Sequence, residues 1–100
     1  MKQDSILSML GLAKRSGNIV SGEFSTEKAV KSNTAYLVIV AENASNNTKK
    51  LFTNKCSFYN VPIVFYSDKE SIGHAIGYEI RTSVAVTDEG FANAILNKLK

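Results

Sequence analysis

An unbroken run of five apolar residues, Tyr36-Leu37-Val38-Ile39-Val40, most narrowly limits the folds open to this chain. β-Branched and aromatic residues favour strands, and a run without alternating polar residues is typical of a strand buried on both faces. Such strands occur mainly in sheets that carry helices above and below. We therefore expect a layered α/β domain in which this run is a central strand.

Amphipathic helical patterns separate four strand-like runs along the chain. The strands are predicted at residues 19–20, 36–40, 63–66 and 83–86. The resulting order is αβαβαβαβα with short connections, which predicts a largely parallel or mixed four-stranded sheet with helices on both faces. No linker, repeat or low-complexity tract divides the chain, so we expect a single domain over residues 1–100.

Capping residues predict where several helices begin and end. Gly17 is placed to end the first helix and Asn60 the third, since both residue types tolerate the left-handed backbone found after a helix C-terminus. Ser67 and Glu70 match the capping box, with serine at the N-cap and glutamate three residues later. The fourth helix is therefore predicted to start after Ser67 and to run to Gly77.

One globular domain also fits the composition, because 100 residues of which 44% are hydrophobic and 21% charged can bury a core. The net charge of +3 permits an RNA or other anionic partner without requiring one. An acidic residue, Asp4, stands where a signal peptide would have its apolar run, and no apolar segment approaches the ~20 residues of a membrane span. We expect a cytoplasmic protein that does not engage a membrane.

Residue types that carry catalysis or metal binding are few. The single Cys56 cannot form an intramolecular disulfide, and no Cys/His cluster offers metal ligands, so we expect neither a metal nor a cofactor. The glycine-rich Rossmann and P-loop fingerprints are absent. His74, the only histidine, could act as a general base, but no partner residue stands at a suggestive spacing, and a surface or packing role fits it better. No catalytic residue is assigned.

The segment 21–31 offers a candidate binding surface. Gly22 allows another backbone to approach closely because it has no Cβ, and the helix that follows exposes N–H groups at the positive end of its dipole. Lys28 and Lys31 are three residues apart and so share a helix face beside this phosphate seat. The segment could bind nucleic acid, or it could be a surface helix with ordinary charges.

Three loops at strand ends carry distinctive residues: Ser21-Gly22, Glu42-Asn43-Ala44 and residues 78–82. Functional groups in α/β sandwiches gather on such loops. Basic and aromatic side chains interleaved there would suit irregular or single-stranded RNA, whose exposed bases can stack. Two of the aromatic residues, Phe24 and Tyr78, could equally be half-buried core residues. If the loops converge, the side chains they bring together are Phe24, Ser25, Lys28, Lys31, Asn43, Tyr78, Ile80, Arg81 and Thr82.

Several segments in a fixed order give the chain a family resemblance. They are Leu10-Gly11-Leu12-Ala13-Lys14-Arg15, Val20-Ser21-Gly22, Ala41-Glu42-Asn43-Ala44-Ser45-Asn46-Asn47-Thr48, Thr53-Asn54-Lys55-Cys56, Val61-Pro62, Ile72-Gly73-His74-Ala75-Ile76-Gly77 and Val84-Ala85-Val86-Thr87-Asp88-Glu89-Gly90-Phe91-Ala92. With them the chain resembles the ribosomal protein L-seven-Ae superfamily, whose members bind kink-turn RNA, and more closely its small bacterial YlxQ-like branch. The resemblance covers essentially the whole chain.

This resemblance implies a three-layer α/β/α sandwich that binds RNA without catalysis. In the family, the helix after the first strand enters the widened major groove at tandem sheared G·A pairs, and a loop before the last strand covers an extruded base. We expect a monomer that binds structured RNA and that meets protein partners within a ribonucleoprotein. The RNA-binding residues that the resemblance implies are Gly22, Phe24, Ser25, Lys28 and Lys31 on the helix, Glu42 and Asn43 after the central strand, and Tyr78, Glu79, Ile80 and Arg81 in the base-covering loop.

The chain departs from the family pattern at the residues that read bases. Typical kink-turn binders have Gly-x-Asn-Glu-x-x-Lys, whereas this chain has Gly22-Glu23-Phe24-Ser25-Thr26-Glu27-Lys28. Phe24 cannot form the hydrogen bonds that asparagine makes with guanine edges, and a lost bidentate base contact is worth about 1–3 kcal/mol of discrimination. General RNA affinity is therefore a firmer expectation than kink-turn specificity.

Three functional hypotheses follow. The leading one is a non-catalytic, ribosome-associated protein that recognises structured, kink-turn-like RNA through segments 21–31, 42–44 and 78–82. The alternative is a protein–protein interaction module on the same fold, in which the altered base-reading residues reflect weakened or lost kink-turn specificity. The third is an enzyme built around His74.

Overall fold

The computed structural model describes residues 4–100 and contains a mixed β-sheet between two layers of helices, with the first three residues of the predicted domain 1–100 outside that range. Helices and strands alternate in the predicted order αβαβαβαβα. In chain order they are α1 Ser5–Arg15, β1 Ile19–Ser21, α2 Glu23–Lys31, β2 Leu37–Val40, α3 Asn46–Tyr59, β3 Ile63–Phe65, α4 Lys69–Ala75, β4 Ser83–Val86 and α5 Glu89–Leu99.

The four strands are arranged in the order β1-β4-β2-β3. Strand β4 pairs antiparallel with both β1 and β2, whereas β2 and β3 are parallel. The register places Ile39 opposite Val84, and Val20 opposite Ala85. Three strands therefore run in one direction and β4 alone runs against them, which confirms the mixed sheet.

Strand β2 is the predicted central strand, and all four of its residues are fully buried. Its burial follows from its position between β4 and β3 with helices on both faces of the sheet. The first residue of the apolar run was predicted to belong to the strand but does not. Tyr36 lies outside β2 with 45% of its surface exposed, because only its backbone reaches the sheet, donating its N–H to the Val86 carbonyl over 2.8 Å.

Two helical layers cover the sheet. Helices α2 and α3 pack against each other in one layer, and α1 contacts both α4 and α5 in the other. Each burial of a large apolar side chain contributes about 1.5–3 kcal/mol, and all five helices supply fully buried ones: Leu10, Val30, Phe52, Ile72 and Ile95. The three-layer α/β/α sandwich is thereby confirmed. Burial also raises the pKa of the Cys56 thiol to about 11, consistent with the inert core thiol that its helical position indicates.

None of the helices within residues 4–100 combines the length and the apolar character needed to cross a lipid bilayer.

The start of α4 differs from the prediction. Its N-cap is Asp68, whose Oδ1 accepts the Ser71 backbone N–H at 2.7 Å, so the predicted capping box at Ser67 is wrong. Ser67 instead has φ +61° and turns the chain after β3, with its carbonyl accepting the Glu42 N–H at 2.8 Å. The hydrogen bonds from Ser71 hold the pKa of the Asp68 carboxyl below its usual value.

Helix α4 ends at Ala75 rather than at the predicted Gly77. Gly77 has φ +89°, and the Tyr78 N–H donates to the Gly73 carbonyl at 2.8 Å, which reverses the chain in the manner of a Schellman motif. The returning chain then crosses α4 so closely that a Cβ on Gly73 would lie 2.8 Å from the Ile80 nitrogen. Gly73 thus permits a close approach of the backbone at residues 79–80.

We expect Gly73→Ala to displace the segment after α4, because its Cβ would meet backbone atoms of Glu79 and Ile80 that have no rotamer with which to escape. Overpacking of this kind costs about 1–3 kcal/mol, measurable as a loss in the free energy of unfolding in urea. Gly90→Ala is the matched control, since its nearest neighbour is a side-chain oxygen, Asp88 Oδ2 at 3.2 Å, rather than backbone. Equal stabilities of the two variants would contradict the proposed crowding.

Candidate nucleic-acid interface

The three predicted loops meet at one end of the sheet, where β1, β2 and β3 finish and β4 begins. We call this region, made of residues 21–22, 41–45 and 78–83, the loop end. Backbone hydrogen bonds join its parts: Gly22 donates to the Ser83 carbonyl at 3.0 Å, and Ala41 donates to the Thr82 carbonyl at 2.9 Å. The convergence follows directly from the direction of β4.

Helix α2 starts at the loop end with an open N-terminus. Its N-cap, Gly22, has φ +91° and ψ 157°, a conformation that disfavours any side chain, and it provides no side-chain cap. The N-caps of α1, α3, α4 and α5 each accept backbone N–H groups through a side-chain oxygen. At α2 the first-turn donors are therefore left for solvent or a ligand.

An acidic residue in the first turn of α2 lies toward the neighbouring helix. Glu23 Oε2 accepts a hydrogen bond from the Thr48 hydroxyl at 3.3 Å, next to the Ser45 cap of α3. The carboxylate is thus anchored on the α3 side of the helix. Its charge nevertheless lies close to the α2 N-terminus and lowers the attraction of that terminus for anions.

The exposed face of α2 carries one aromatic and two basic side chains. Phe24 is 79% exposed, which excludes the half-buried core role left open by the sequence. Lys28 and Lys31 follow it at i+4 and i+7, and all three line one groove of about 300 Å³ together with Glu27. Lys31 is 3.8 Å from the Glu27 carboxylate. Lys28 makes no ion pair with any described residue and so offers its charge outward.

Ser25 is half-buried beside this face and lines a second, adjoining groove with Val20, Lys28 and Thr87. Ser25 and Lys28 therefore border the same groove. The structure thus keeps the predicted residues Gly22, Phe24, Ser25, Lys28 and Lys31 along one continuous strip of α2.

The loop after β2 is held to the start of α4 by its asparagine. Asn43 Oδ1 accepts the Lys69 backbone N–H at 2.8 Å, and its Nδ2 donates to Glu70 Oε1 at 3.2 Å. Both ends of the amide are engaged, so Asn43 has a positioning role that its sequence context did not indicate. The neighbouring Glu42 is exposed. The pKa of Tyr66 is raised to about 12, first by burial of its ring, then by its hydrogen bond to Asp4, and to a smaller extent by the charges of Asp4 and Glu42.

Arg81 joins the last loop to the rest of the loop end. Its Nε donates to the Ser21 hydroxyl at 3.0 Å, and its backbone N–H donates to the Lys69 carbonyl at 3.0 Å. The guanidinium carbon also lies 3.7 Å from the centre of the Tyr78 ring, in cation–π geometry. The remaining loop residues, Glu79 and Ile80, are exposed beside this stack.

Lys14 of α1 is a second cation beside the Tyr78 ring. Its Nζ lies 3.5 Å from the Tyr78 hydroxyl and 5.3 Å from the ring centre. Lys14 and then Arg81 stabilise the phenolate, so the pKa of Tyr78 is held below its usual value. Tyr78 is 37% exposed, not part of the core. No pattern indicates the role of Lys14, because 64 positions separate it from Tyr78.

His74 lies apart from the loop-end side chains. It is exposed on α4 and lines a groove of about 670 Å³ between α1 and α4 with Asp4, Arg15 and Ser71. Within residues 4–100, no group of three or more His, Cys, Asp or Glu side chains is arranged to hold a metal ion. The geometry around His74 supplies no assembled catalytic constellation within that range.

We expect Lys14→Ala to raise the pKa of Tyr78, because it removes the ammonium group that stabilises the phenolate. Ultraviolet titration of the tyrosines measures this, with Tyr78→Phe assigning the transition and Arg15→Ala serving as the neighbouring charge control. Burial raises the pKa of Tyr66 to about 12, which keeps its transition apart from that of Tyr78. An unchanged Tyr78 transition in Lys14→Ala would show that the two side chains do not interact in solution.

The chain is similar to characterised relatives over most of its length. It is 44% identical over 91 residues to the RNA-binding protein YlxQ of Bacillus subtilis (strain 168), covering 91% of each chain. It is 36% identical over 86 residues to the RNA-binding protein YlxQ of Enterococcus faecium, covering 86% of this chain and 82% of the relative.

Solved structures share the fold. A protein of unknown function from Bacillus halodurans superimposes with a TM-score of 0.92 at 34% identity, covering 95% of this chain and 96% of its own. The Giardia lamblia 15.5kD RNA binding protein superimposes with a TM-score of 0.81, covering 98% of this chain and 90% of its own, and at 20% identity it supports the fold alone. Residues 4–96 match the model of the ribosomal protein L7Ae/L30e/S12e/Gadd45 family, and with these relatives the chain belongs to that family, in its YlxQ-like branch.

Proposed function

We propose that this protein binds structured RNA of the kink-turn type through the loop end and the exposed face of α2, without catalysing a reaction. The observation that carries the proposal is that an uncapped helix N-terminus and the cation of Arg81 meet at the loop end, with the cation of Lys28 on the exposed face of the same helix. The YlxQ relatives are named RNA-binding proteins, which supports the same ligand class. The proposed setting is a cytoplasmic, ribosome-associated monomer over residues 1–100.

In this proposal the α2 strip holds the sugar-phosphate backbone. The N–H groups after Gly22 bind a phosphate, and Lys28 and Lys31 neutralise phosphates farther along the helix. Phe24, being exposed in the same groove, packs against a base at the widened part of the RNA helix. Ser25 contributes a hydroxyl to the same contact.

The second contact comes from the last loop. Tyr78 and Ile80 are exposed and present apolar surface on which an extruded base can rest, while Glu79 is available to base donors. Arg81 cannot move far, because it is bonded to Ser21 and stacked on Tyr78, so it acts as a fixed cation. Glu42 and Asn43 border the RNA from the turn after β2, with Asn43 chiefly fixing the shape of that turn.

Charge reversal at Lys28 should weaken binding to a kink-turn RNA by about tenfold or more and reduce the slope of log affinity against log salt by about 1. Lys98→Glu on α5 is the matched control and should change neither, since α5 lies in the layer opposite α2. Fluorescence anisotropy at several salt concentrations measures both quantities. Equal losses in the two variants, or binding insensitive to salt, would contradict the assigned surface.

The altered base-reading residues make a second, sharper prediction. Because Phe24 and Ser25 replace asparagine and glutamate, the preference for a kink-turn over the same stem without G·A pairs should be small. The double variant Phe24→Asn/Ser25→Glu restores the family pattern and should increase that preference by about tenfold, since a bidentate base contact is worth about 1–3 kcal/mol. Phe24→Ala is the control, since it removes the ring without adding a side chain that can hydrogen-bond a base edge.

A double variant whose preference stays at the level of Phe24→Ala would show that α2 does not face the G·A pairs. Recovery of a partner protein after nuclease treatment, with no affinity for either RNA, would instead favour the protein-interaction alternative.

A further inference from the structure

A second exposed aromatic side chain stands on α3. Phe58 is 77% exposed, close to the 79% of Phe24, and these two are the most exposed large apolar side chains in residues 4–100. The Phe58 ring meets Tyr59 edge to face, with ring centres 4.9 Å apart and planes inclined at 76°. This contact supports the exposed ring from one side and leaves its other surface open.

Phe58 and Tyr59 border a pocket of about 400 Å³, whose other walls are Leu51, Asn54 and Lys55. A pocket of this volume is within the range of about 300–1,000 Å³ that small-molecule sites occupy. Its chemistry suits a nucleotide: aromatic and aliphatic surface for the base, an amide for the base edge and an ammonium group for phosphate. No residue of this pocket belongs to the contacts proposed above.

The surrounding charge favours an anionic occupant. Helix α3 contains three lysines and no acidic residue, and together α2 and α3 hold five lysines against Glu23 and Glu27. Their net charge of +3 equals that of the whole chain. Glu27 lies between the two helices, 3.8 Å from Lys31 and 4.0 Å from Lys55, so a single carboxylate balances two cations there.

One ion pair, between Glu27 and Lys55, links the groove on α2 to the pocket on α3. Glu23 contacts Thr48 at the start of the two helices and Glu27 contacts Lys55 farther along, so α2 and α3 run side by side away from the loop end. Phe24 and Lys31 are separated by about 10 Å along the α2 axis. An RNA strand that leaves the α2 strip at Lys31 would therefore meet Lys55 and the pocket next.

We propose that the pocket of Leu51, Asn54, Lys55, Phe58 and Tyr59 binds one unpaired nucleotide that flanks the RNA element held at the loop end, with its base stacked on Phe58. This inference rests on the proposed RNA-binding function. A protein partner fits the surface less well, because the cores of protein interfaces are depleted in lysine. Here lysines border both exposed phenylalanines, Phe24 and Phe58.

The test compares two kink-turn RNAs, one blunt-ended and one with a short single-stranded oligouridine tail. The tailed RNA should bind the unchanged protein more tightly than the blunt RNA does. Phe58→Ala should weaken binding of the tailed RNA by roughly five- to tenfold, as expected for the loss of one stacked base. Phe58→Trp should retain the gain, and Ser57→Ala, exposed on the same helix, should behave as the unchanged protein. Lys28→Glu should weaken binding of the tailed and the blunt RNA by the same factor.

Equal affinity of the unchanged protein for tailed and blunt RNA would overturn the pocket assignment while leaving the proposed function intact. So would a dimer in sedimentation analysis that Phe58→Ala converts to a monomer, because the face would then bind a second copy. If neither kink-turn binds, the indole fluorescence of Phe58→Trp decides: quenching by free oligouridine supports the pocket without the proposed function, and its absence overturns the pocket as well.

Discussion

Gly22 donates its backbone N–H to the Ser83 carbonyl over 3.0 Å, and this hydrogen bond joins the start of α2 to the start of β4. It exists because β4 runs against the other strands and begins where β1 ends. The same geometry places Thr82 against Ala41 and lets Arg81 reach Ser21. A parallel fourth strand would put residues 78–82 at the opposite end of the sheet and leave α2 alone.

Rigid positioning distinguishes this surface from a set of ordinary exposed charges. Arg81 is fixed by hydrogen bonds and by the Tyr78 ring. Both the oxygen and the nitrogen of the Asn43 amide form hydrogen bonds with α4. By contrast, Phe24 and Lys28 remain open on α2. Fixed elements define the shape that an RNA must match, while the open side chains supply contacts, so part of the ordering cost is met before binding.

Local patterns predicted most of the fold and part of the site. The apolar run gave β2, since only a strand covered on both faces suits it, and Gly22 marked the open start of α2. Contacts between distant residues had no such signal, as with Lys14 and Tyr78, which meet only through packing of α1 on α4. The predicted N-cap at Ser67 is wrong because Ser67 lies in the turn after β3 with a positive φ, and Asp68 caps the helix instead.

The central claim is that RNA contacts the loop end and the α2 strip. Titration of isotopically labelled protein with a kink-turn RNA, followed by amide chemical shifts, tests it most directly. We predict that the largest shifts occur at Gly22, Phe24, Lys28 and Arg81, with α5 essentially unchanged. Shifts concentrated on α5 or in the groove between α1 and α4, with Gly22 and Lys28 silent, would contradict the account.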